Sequence, residues 1–250
     1  MMNNHYQQIC DIAVFSKITK PEALEFLRKF PRFKTVCIRK GKIQGQYRKP
    51  QIKVIASRAK KNRTVTIHRE QGIFYKLDVA KLMFAKGNIN ERHRIANIAK
   101  PHETVVDMFA GIGYFSLPLA KKVAKVYSIE LNPVSFKYLN ENVKLNKLKN
   151  VITIKGDCSK IITKLRIKAD RIMMGYLPSP FKYLKFIKSV TKKGAIIHYS
   201  CLIKRGDENK NMKEIVSDIN KIVKVKLIRA VDVKSFSPAL EHYVLDLSVL

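Results

Sequence analysis

The residues best suited to chemistry follow short apolar runs in the second half of the chain. The first run contains Asp107 and leads into Gly111 and Gly113, where glycine lets the backbone turn tightly and approach a ligand. Glu130 follows the next run, seventeen residues beyond Gly113, where an acidic side chain can bind ribose hydroxyls. Asp157 follows the third run and is placed to accept a hydrogen bond from an adenine amine. Together these positions predict a site for an adenosine-containing ligand.

The spacing of the glycines argues against a dinucleotide. A dinucleotide-binding motif would have a third glycine three residues after Gly113, but that position is Ser116. Taken singly, a Gly-x-Gly pair arises by chance, and an acidic residue at a strand end can simply cap the next helix. Taken in order, the strand ends favour a ligand that contains adenosine but no pyrophosphate, and S-adenosylmethionine fits that description.

The cysteines and histidines predict neither a metal site nor a disulfide. Cys10, Cys37, Cys158 and Cys201 lie far apart in the chain, and no pair has the close spacing of zinc ligands. We expect reduced thiols, as in cytosolic proteins. Beside Asp157, we expect Cys158 to offer its backbone N–H to the ligand rather than its thiol.

The elements that must position these residues alternate between strands and helices from residue 101 onward. Such alternation predicts a doubly wound α/β fold, in which ligands bind beyond the carboxyl ends of the strands. The predicted strands span 104–109, 126–130, 151–154, 171–174 and 195–199, the predicted helices span 115–123, 136–145 and 212–223, and 225–231 pairs antiparallel with 242–247.

The first part of the chain predicts a smaller α+β domain. Thr19 can cap a helix through Leu27, with Pro21 in the first turn and Glu22 three residues after the cap. Short β-like runs follow at 35–38, 51–56 and 64–68. We therefore expect a basic α+β domain, residues 1–90, and a catalytic domain that binds the cofactor, residues 91–250.

The charge of the chain predicts a polyanionic partner. Its 250 residues include 50 Lys and Arg against 19 Asp and Glu, a formal net charge of +31. Residues 1–64 alone hold sixteen Lys and Arg and three acidic residues. We expect nucleic acid rather than a membrane surface, because no basic amphipathic helix with a clean apolar face is evident. The expected RNA-binding residues are Arg32, Arg39, Arg48, Lys49, Arg58, Lys60, Lys61 and Arg63, and the alternative is a solvated basic face.

Two further features bear on location. No apolar run approaches the roughly 20 residues of a membrane-spanning helix, and the N-terminus lacks the layout of a secretory signal. We expect a cytoplasmic monomer that does not bind membranes.

Three segments resemble a family of tRNA-modifying enzymes. They read LDVAKLMFAKGN at 77–88, NER at 90–92 and VDMFAGIGYFS at 106–116. The family belongs to the class I S-adenosylmethionine-dependent enzymes and acts on the purine just 3′ of the anticodon. It contains guanosine N1-methyltransferases and wybutosine-pathway aminocarboxypropyltransferases. The resemblance covers residues 70–250 well and the N-terminal part loosely, and it implies a Rossmann-like class I methyltransferase fold, S-adenosylmethionine as cofactor and the anticodon stem-loop of tRNA as partner.

The resemblance also assigns roles to residues. Glu91 matches a glutamate that resembles a general base in the methyltransferases, and the alternative is an ordinary acidic residue at a helix start. Arg92 would pair with the cofactor carboxylate, and the alternative is a salt bridge. Ala85 stands where the family commonly has serine, so only a backbone contact remains there. The expected cofactor-binding residues are Ala85, Arg92, Asp107, Gly111, Gly113, Glu130, Asp157 and Cys158.

The segment after the fourth strand separates the two branches of the family. It reads GYLPS at 175–179, which looks like the aminocarboxypropyl branch, whereas the methyltransferases resemble Asn-Leu-Pro there. Gly175 could let the methionine arm lie with its γ-carbon facing the base. Tyr176 and Phe181 could stack on a splayed-out purine or could pack into the core. The expected catalytic residues are Glu91, Gly175, Tyr176 and Pro178.

The activity implied by the resemblance is transfer of the 3-amino-3-carboxypropyl group of S-adenosylmethionine to C7 of 4-demethylwyosine. This base stands at position 37 of tRNA(Phe), and methylthioadenosine is released. The nearer alternative is methylation of guanosine N1. A second alternative is a non-catalytic RNA-binding protein with a degenerate cofactor fold, against which the intact Asp107, Gly111, Gly113, Glu130 and Asp157 argue.

Overall fold

The structure is a computed structural model that describes residues 5–41, 45, 47, 49–61, 63–84 and 86–250, without the side chain of Lys86. The contacts expected of Arg48 and Ala85 lie outside the described residues. The chain divides into two compact units, Met1–Ala85 and Lys86–Leu250. The second unit contains every strand end that the sequence associates with a ligand.

The first unit has, in chain order, β1 Tyr6–Ile9, β2 Ile12–Phe15, α1 Lys20–Lys29, β3 Thr35–Arg39, β4 Ile52–Ser57, β5 Val65–Glu70 and β6 Ile73–Asp78. Its sheet has the order β1-β2-β3-β4, and β5 and β6 form a separate hairpin. β2 and β3 pair in parallel, since α1 connects them, and the other pairs are antiparallel. Ala23, Phe26 and Leu27 of α1 share one core with Phe15 and Phe33.

Helix α1 begins as the sequence predicts. Thr19 is the N-cap, and its hydroxyl accepts from the backbone N–H of Glu22 at 3.4 Å. The Glu22 carboxylate accepts from the backbone N–H of Thr19 at 2.7 Å, which completes the capping box. The predicted α+β character of this part of the chain therefore has a local cause in the sequence.

Three strands of the first unit are missing from the sequence prediction. β1 and β2 have four residues each, too few for a period of two to be recognised. β6 pairs with β5 across Gln71 and Gly72, which both have positive φ. Glycine at the second position suits such a two-residue turn, but glutamine is not typical of the first position, so the sequence gives only a weak hairpin signal.

The second unit has, in chain order, α2 Ile89–Ile98, β7 Thr104–Asp107, α3 Ser116–Ala120, β8 Lys125–Glu130, α4 Pro133–Leu145, β9 Val151–Lys155, α5 Cys158–Ile161, β10 Arg171–Met174, α6 Leu184–Ile187, β11 Ile196–Lys204, α7 Glu208–Asn220, β12 Val225–Ser237 and β13 Leu240–Val249. Its sheet has the order β12-β13-β11-β10-β7-β8-β9. β7 to β11 run parallel, and β13 is antiparallel to both β11 and β12. The predicted doubly wound fold with a closing antiparallel pair is confirmed.

Some element boundaries differ from the prediction. β7 ends at Asp107 rather than at residue 109, because the backbone enters a turn at Met108. β11 extends to Lys204, since its antiparallel partner β13 continues the pairing. α7 begins at Glu208 rather than at residue 212, and its polar first turn gives no apolar periodicity to detect.

Alternate residues of β10 face opposite layers of the second unit. Met173 packs in one cluster with Ile95 of α2 and Leu119 of α3. Ile172 and Met174 pack in another with Leu184 and Ile187 of α6. Since side chains alternate across a strand, β10 separates α2 and α3 on one face from α6 on the other.

Charged side chains, of which Arg94 is partly exposed and the others are buried, join α2 to the sheet. Arg94 of α2 donates to both oxygens of Glu91, each at 2.7 Å. The same guanidinium donates to both oxygens of Asp246 on β13, at 2.7 and 2.9 Å. Burial alone would raise the pKa of Asp246, but the hydrogen bonds from His198 and Arg94 hold it below its usual value.

The chain of contacts continues from Asp246 across two more strands. Nδ1 of His198 on β11 lies 2.6 Å from Asp246, and its Nε2 lies 2.5 Å from Nη1 of Arg171 on β10. Arg171 also binds both oxygens of Glu103, at 2.7 and 2.8 Å. We call this set the buried ionic chain, and its members are Glu91, Arg94, Asp246, His198, Arg171 and Glu103.

The contacts of His198 define its protonation. A guanidinium can only donate, so Nε2 accepts from Arg171 and the Nδ1–H donates to Asp246. Burial lowers the pKa of His198, which agrees with a neutral ring. The buried ionic chain is therefore connected by hydrogen bonds along its length.

Other structural findings bear on partners. Among the described residues, no helix is long and apolar enough to cross a membrane. In the same part of the chain, no group of three His, Cys, Asp or Glu side chains is arranged to hold a metal ion. The four cysteines are free thiols, of which Cys10 is exposed.

We expect Asp246→Asn to lower the free energy of unfolding by about 3–5 kcal/mol, because it removes one charge from a buried network and leaves Arg94 undercompensated. Urea unfolding followed by circular dichroism measures the change. The matched control is Asp218→Asn, which breaks an exposed pair with Lys221 at 2.6 Å and should cost less than about 1 kcal/mol. Equal and small losses in both variants would show that the buried ionic chain contributes little.

Candidate active site

The topology of the second unit places a ligand site beside β7. The chain runs outward from β7 to β8 and β9 and then returns to β10 on the other side of β7. In open α/β sheets, ligands bind at such a reversal, beyond the carboxyl ends of the strands. The residues predicted from the sequence follow β7, β8, β9 and β10, so four neighbouring strands bring them to one edge of the sheet.

The turn after β7 requires its two glycines. Gly111 and Gly113 have φ of +59° and +99°, a region that favours glycine. A Cβ at residue 113 would lie 2.6 Å from Cγ of Leu117, so no side chain fits there. The side-chain amide of Asn142 on α4 donates to the carbonyl of Ile112 at 3.0 Å, which links the turn to α4. We call residues 108–114 the glycine loop.

Asp107 stabilises the start of the glycine loop through hydrogen bonds. It is fully buried, and its carboxylate accepts from the hydroxyl of Ser116 at 2.6 Å. Ser116 in turn accepts from the hydroxyl of Ser128 at 2.8 Å. Burial raises the pKa of Asp107 to about 6, against the effect of these hydrogen bonds. The serine in place of a third glycine thus has a structural use, which the sequence pattern did not reveal.

Glu130 ties the glycine loop to the next helix. Its carboxylate accepts from the backbone N–H of Gly111 at 2.6 Å and from that of Asn132 at 2.7 Å. Burial raises the pKa of Glu130, and the backbone N–H groups oppose this shift. A carboxylate has about four lone-pair positions. The positions that the protein does not use remain for hydroxyl groups of a ligand.

Asp157 and Cys158 form the start of α5. Oδ1 of Asp157 accepts from the backbone N–H of Ser159 at 2.9 Å and from its hydroxyl at 2.8 Å. Asp157 therefore caps α5, as an acidic residue at a strand end can do without binding any ligand. Its other oxygen, Oδ2, receives no hydrogen bond from any residue that the structure describes. Cys158 is buried, and burial raises the pKa of its thiol to about 12. The thiol is therefore protonated near neutral pH.

Glu91 and Arg92 stand next to each other in the first turns of α2 but face different neighbours. Both oxygens of Glu91 are held by Arg94 in the buried ionic chain. Burial raises the pKa of Glu91, while Arg94 acts in the opposite direction. Arg92 is 2% exposed, and its guanidinium lies 5.8 Å from the ring centre of Tyr114 in the glycine loop. The structure thus brings Arg92 to the predicted cofactor site.

Aromatic rings meet beyond β7 and β10. The ring centres of Phe109 and Tyr176 are 5.1 Å apart, and those of Phe109 and Tyr183 are 5.0 Å apart. Tyr176 and Tyr183 lie 6.0 Å apart. We call these three the aromatic cluster. Phe181, expected together with Tyr176 to stack on a purine, is exposed, and in the described structure its ring does not contact the cluster.

Tyr183 and Phe109 are the members of the aromatic cluster that sequence reasoning missed. Tyr183 lies in a 3₁₀ turn rather than in a strand, so no alternation in the sequence distinguishes it from Phe181. Gly175 has room for a small side chain, since a Cβ there would lie 3.4 Å from the Phe115 ring. Pro178 is exposed and follows a cis peptide bond.

The described members of the set expected to bind RNA are exposed. Arg39 donates to Gln7 at 2.7 Å, Arg58 donates to the carbonyl of Leu27, and the Arg32 guanidinium lies 5.0 Å from the Phe33 ring centre. The guanidinium groups of these three arginines are thus partly held in place by contacts within the first unit. The remaining exposed members are Lys49, Lys60, Lys61 and Arg63.

The residues at these strand ends fit S-adenosylmethionine. The lone pairs left on Glu130 suit ribose hydroxyls, and Oδ2 of Asp157 suits an adenine amine. Gly111 and Gly113 adopt the positive φ values that the turn after β7 requires, so the loop can follow this course beside the strand ends. Arg92 offers a guanidinium fork for a carboxylate. Taken together, the fold, the loop and the acids define the class I methyltransferase fold.

Comparison with known proteins makes this assignment more specific. The family model described as "TRM5/TYW2 methyltransferase domain" matches residues 66–231, and the chain belongs to this family. This confirms the resemblance found in the sequence.

Individual relatives come from both branches of the family. The chain is 42% identical over 200 residues to a tRNA(Phe) (4-demethylwyosine(37)-C(7)) aminocarboxypropyltransferase of Methanocaldococcus jannaschii, which covers 79% of this chain and 78% of the relative. It matches the crystal structure of Pyrococcus horikoshii TYW2 in complex with MeSAdo with a TM-score of 0.82 and 34% identity, over 99% and 91% of the two chains. It is 38% identical to the tRNA (guanine(37)-N(1))-methyltransferase Trm5b of Pyrococcus abyssi, over 86% of this chain and 64% of that protein.

We expect Gly113→Ala to destabilise the protein more than a glycine-to-alanine change that only strains the backbone. The matched control is Gly194→Ala, where φ is +79° and a Cβ would meet nothing within 4 Å. The control should cost about 1–2 kcal/mol through its backbone alone. The collision with Leu117 should add about 1–3 kcal/mol in Gly113→Ala. Unfolding free energies measure both, and equal costs would contradict the predicted collision.

Proposed function

We propose that this protein transfers the 3-amino-3-carboxypropyl group of S-adenosylmethionine to C7 of 4-demethylwyosine at position 37 of tRNA(Phe). Methylthioadenosine is the second product. The observation that carries the proposal is the similarity, over most of both chains, to the Methanocaldococcus jannaschii aminocarboxypropyltransferase. The segment 175–179 supports the same branch of the family.

The cofactor is held by residues of the second unit. When bound, S-adenosylmethionine supplies the transferred group on a carbon next to its sulfonium sulfur. Glu130 accepts hydrogen bonds from the ribose hydroxyls while it holds the glycine loop. Asp157 accepts from the adenine amine, and the backbone N–H of Cys158 lies at the start of the same helix. Arg92, beside the glycine loop, pairs with the cofactor carboxylate.

The substrate base is positioned by the aromatic cluster. A purine extruded from the anticodon loop can stack on a surface formed by Phe109, Tyr176 and Tyr183, and such stacking is worth about 1–3 kcal/mol per base. Gly175 and Pro178 shape the backbone beside this cluster. Gly175 carries no side chain, so it would leave room for the aminocarboxypropyl arm of the cofactor beside the base.

The proton released from C7 needs an acceptor, and Glu91 is the candidate. Burial raises the pKa of this carboxylate, which favours proton uptake. Arg94, however, holds both of its oxygens, so Glu91 acts as a base only when one of these hydrogen bonds is released. The same contacts support the alternative, in which Glu91 anchors α2 and water accepts the proton.

The first unit binds the anticodon stem-loop. Its exposed cations contact phosphates and carry little base specificity, since phosphates are the same in every sequence. Arg48 belongs to this set on its sequence position alone. We propose that the protein works on tRNA in the cytoplasm, as a monomer with one basic RNA-binding domain and one catalytic domain.

A second candidate function is methylation of guanosine N1 at position 37. The observation in its favour is the similarity to Trm5b of Pyrococcus abyssi. The two reactions use the same cofactor. In aminocarboxypropyl transfer the nucleophile attacks the γ-carbon of the methionine arm, and in N1-methylation it attacks the methyl carbon, both of which are bound to the sulfur. The fate of the methyl group therefore separates them.

We expect the aminocarboxypropyl carbons, and not the methyl carbon, of S-adenosylmethionine to enter tRNA(Phe) that carries 4-demethylwyosine. The experiment uses cofactor labelled at each position in turn, with tRNA that has unmodified guanosine 37 as the control. Methyl label in the tRNA with unmodified guanosine 37 would replace the proposal by N1-methylation, and methyl label in the tRNA with 4-demethylwyosine would replace it by methylation of that base. Absence of both labels from tRNA that the protein binds would favour a non-catalytic RNA-binding protein.

We expect Gly175→Ala to slow the transfer without unfolding the protein. The added Cβ lies in ordinary contact with Phe115, so the free energy of unfolding should stay within about 1 kcal/mol of wild type. Loss of room for the methionine arm should lower kcat/KM by about 10- to 100-fold. Steady-state kinetics with saturating tRNA measure the effect. Unchanged kinetics would show that Gly175 does not position the cofactor.

A further inference from the structure

The second unit carries a basic segment of its own, shortly after β10 and the segment 175–179. Residues 181–193 read FKYLKFIKSVTKK and contain five lysines and no acidic residue. Three of the lysines, Lys182, Lys185 and Lys188, are spaced three residues apart. We call these three the lysine row. The sequence prediction placed every phosphate-binding residue in the first unit, so this row has no assigned role.

The local structure places the lysine row on the outer face of the segment. A 3₁₀ turn, Phe181–Tyr183, leads into α6. Leu184 and Ile187 are fully buried in the core beneath, as is Val190. All members of the lysine row are exposed. At a spacing of three residues, neighbouring lysines lie about 5 Å apart along the segment and point to the same side.

The charges of the lysine row are not compensated within the described structure. No described carboxylate forms an ion pair with Lys182, Lys185 or Lys188. By contrast, the nearby Lys192 pairs with Asp170 at 2.6 Å. Lys168 donates to two backbone carbonyls, of Ser189 and Thr191. Adjacent like charges repel, so a row without counter-charges favours an anionic partner.

The lysine row starts at the candidate active site. Tyr183, a member of the aromatic cluster, stands between the first two lysines, and the ammonium of Lys182 lies 5.0 Å from its ring centre. Lys185 lies 5.1 Å from the ring centre of Phe186. The segment leaves the carboxyl end of β10, so the row extends away from the edge where the base is expected to stack. A stacking surface continuous with cations is the arrangement that binds single-stranded nucleic acid.

We propose that the lysine row of the second unit binds the phosphates next to the nucleotide whose base stacks on the aromatic cluster. It is thus a second tRNA contact, separate in the chain from the cations of the first unit. This proposal rests on tRNA being the substrate. Its role is to hold the strand beside the extruded nucleotide, where the loop is single-stranded.

The test replaces the lysine row by glutamine, as Lys182→Gln, Lys185→Gln and Lys188→Gln in one protein. Each phosphate contact to a single strand contributes about 0.7 to the slope of log K against log salt. The triple variant should therefore reduce the slope for tRNA(Phe) by about 2. Between 50 and 200 mM salt, wild-type affinity should then fall about 20-fold more than that of the variant. An unchanged slope would overturn the proposal and leave a solvated face.

The matched control is a triple variant with the same charge change near the amino end of β8, away from the carboxyl ends of the strands. Lys121, Lys122 and Lys125 are exposed there, and Lys125 lies 5.8 Å from the ring centre of Tyr127. Replacing them by glutamine should leave the slope within about 0.5 of wild type. Equal effects of the two triple variants would also overturn the proposal, because they would mean a response to net charge alone.

Two further measurements locate the contact and separate it from the proposed function. The triple variant should show the same reduction in the salt-dependence slope when the ligand is the isolated anticodon stem-loop. If the reduction is seen only with full-length tRNA, the lysine row contacts another part of tRNA and the proposal is contradicted. Circular dichroism checks that the variant is folded. A protein that binds tRNA through the row but transfers neither label would support this inference and contradict the proposed activity.

Discussion

Buried charge is the constraint on which the second unit most depends. Charges taken out of water cost several kcal/mol each unless partners satisfy them. In the buried ionic chain, Arg94 satisfies Glu91 on its own helix and Asp246 on a strand at the far end of the sequence. Helix α2 can therefore occupy only the position in which its guanidinium reaches β13. Arg92, two residues before Arg94, is fixed beside the glycine loop by the same constraint.

The acids that suit the cofactor also hold the site together. Glu130 binds the backbone of the glycine loop, Asp107 binds Ser116, and Asp157 caps α5. Each carboxylate thus uses part of its accepting capacity on the protein, and Oδ2 of Asp157 receives no hydrogen bond from the described residues. Such a site is largely formed before the ligand arrives, which reduces the ordering that binding must impose. Under the proposed function, Glu130 and Asp157 would combine structural and binding roles.

The excess positive charge is distributed between both units. In the first unit, several cations extend from a small sheet and are steadied by contacts such as that of Arg39 with Gln7. In the second unit, the lysine row borders the aromatic cluster and has no described counter-charge. Phosphate contacts give orientation and affinity, while base stacking and pocket shape select the nucleotide. The proposed reaction requires both, because one base must leave the anticodon loop while its neighbours stay bound.

The sequence by itself determined the doubly wound fold, the capping box at Thr19 and the glycine loop, because each follows from local periodicity or from a short motif. The family resemblance came from the same local segments. Only the tertiary structure decided that Glu91 shares Arg94 with Asp246, a residue 152 positions from that arginine. It also decided that the aromatic cluster contains Tyr183 rather than Phe181, and it revealed β1 and β2. The physical reason is that such contacts depend on which strands become neighbours, and the periodicity of one segment carries no record of its distant partners.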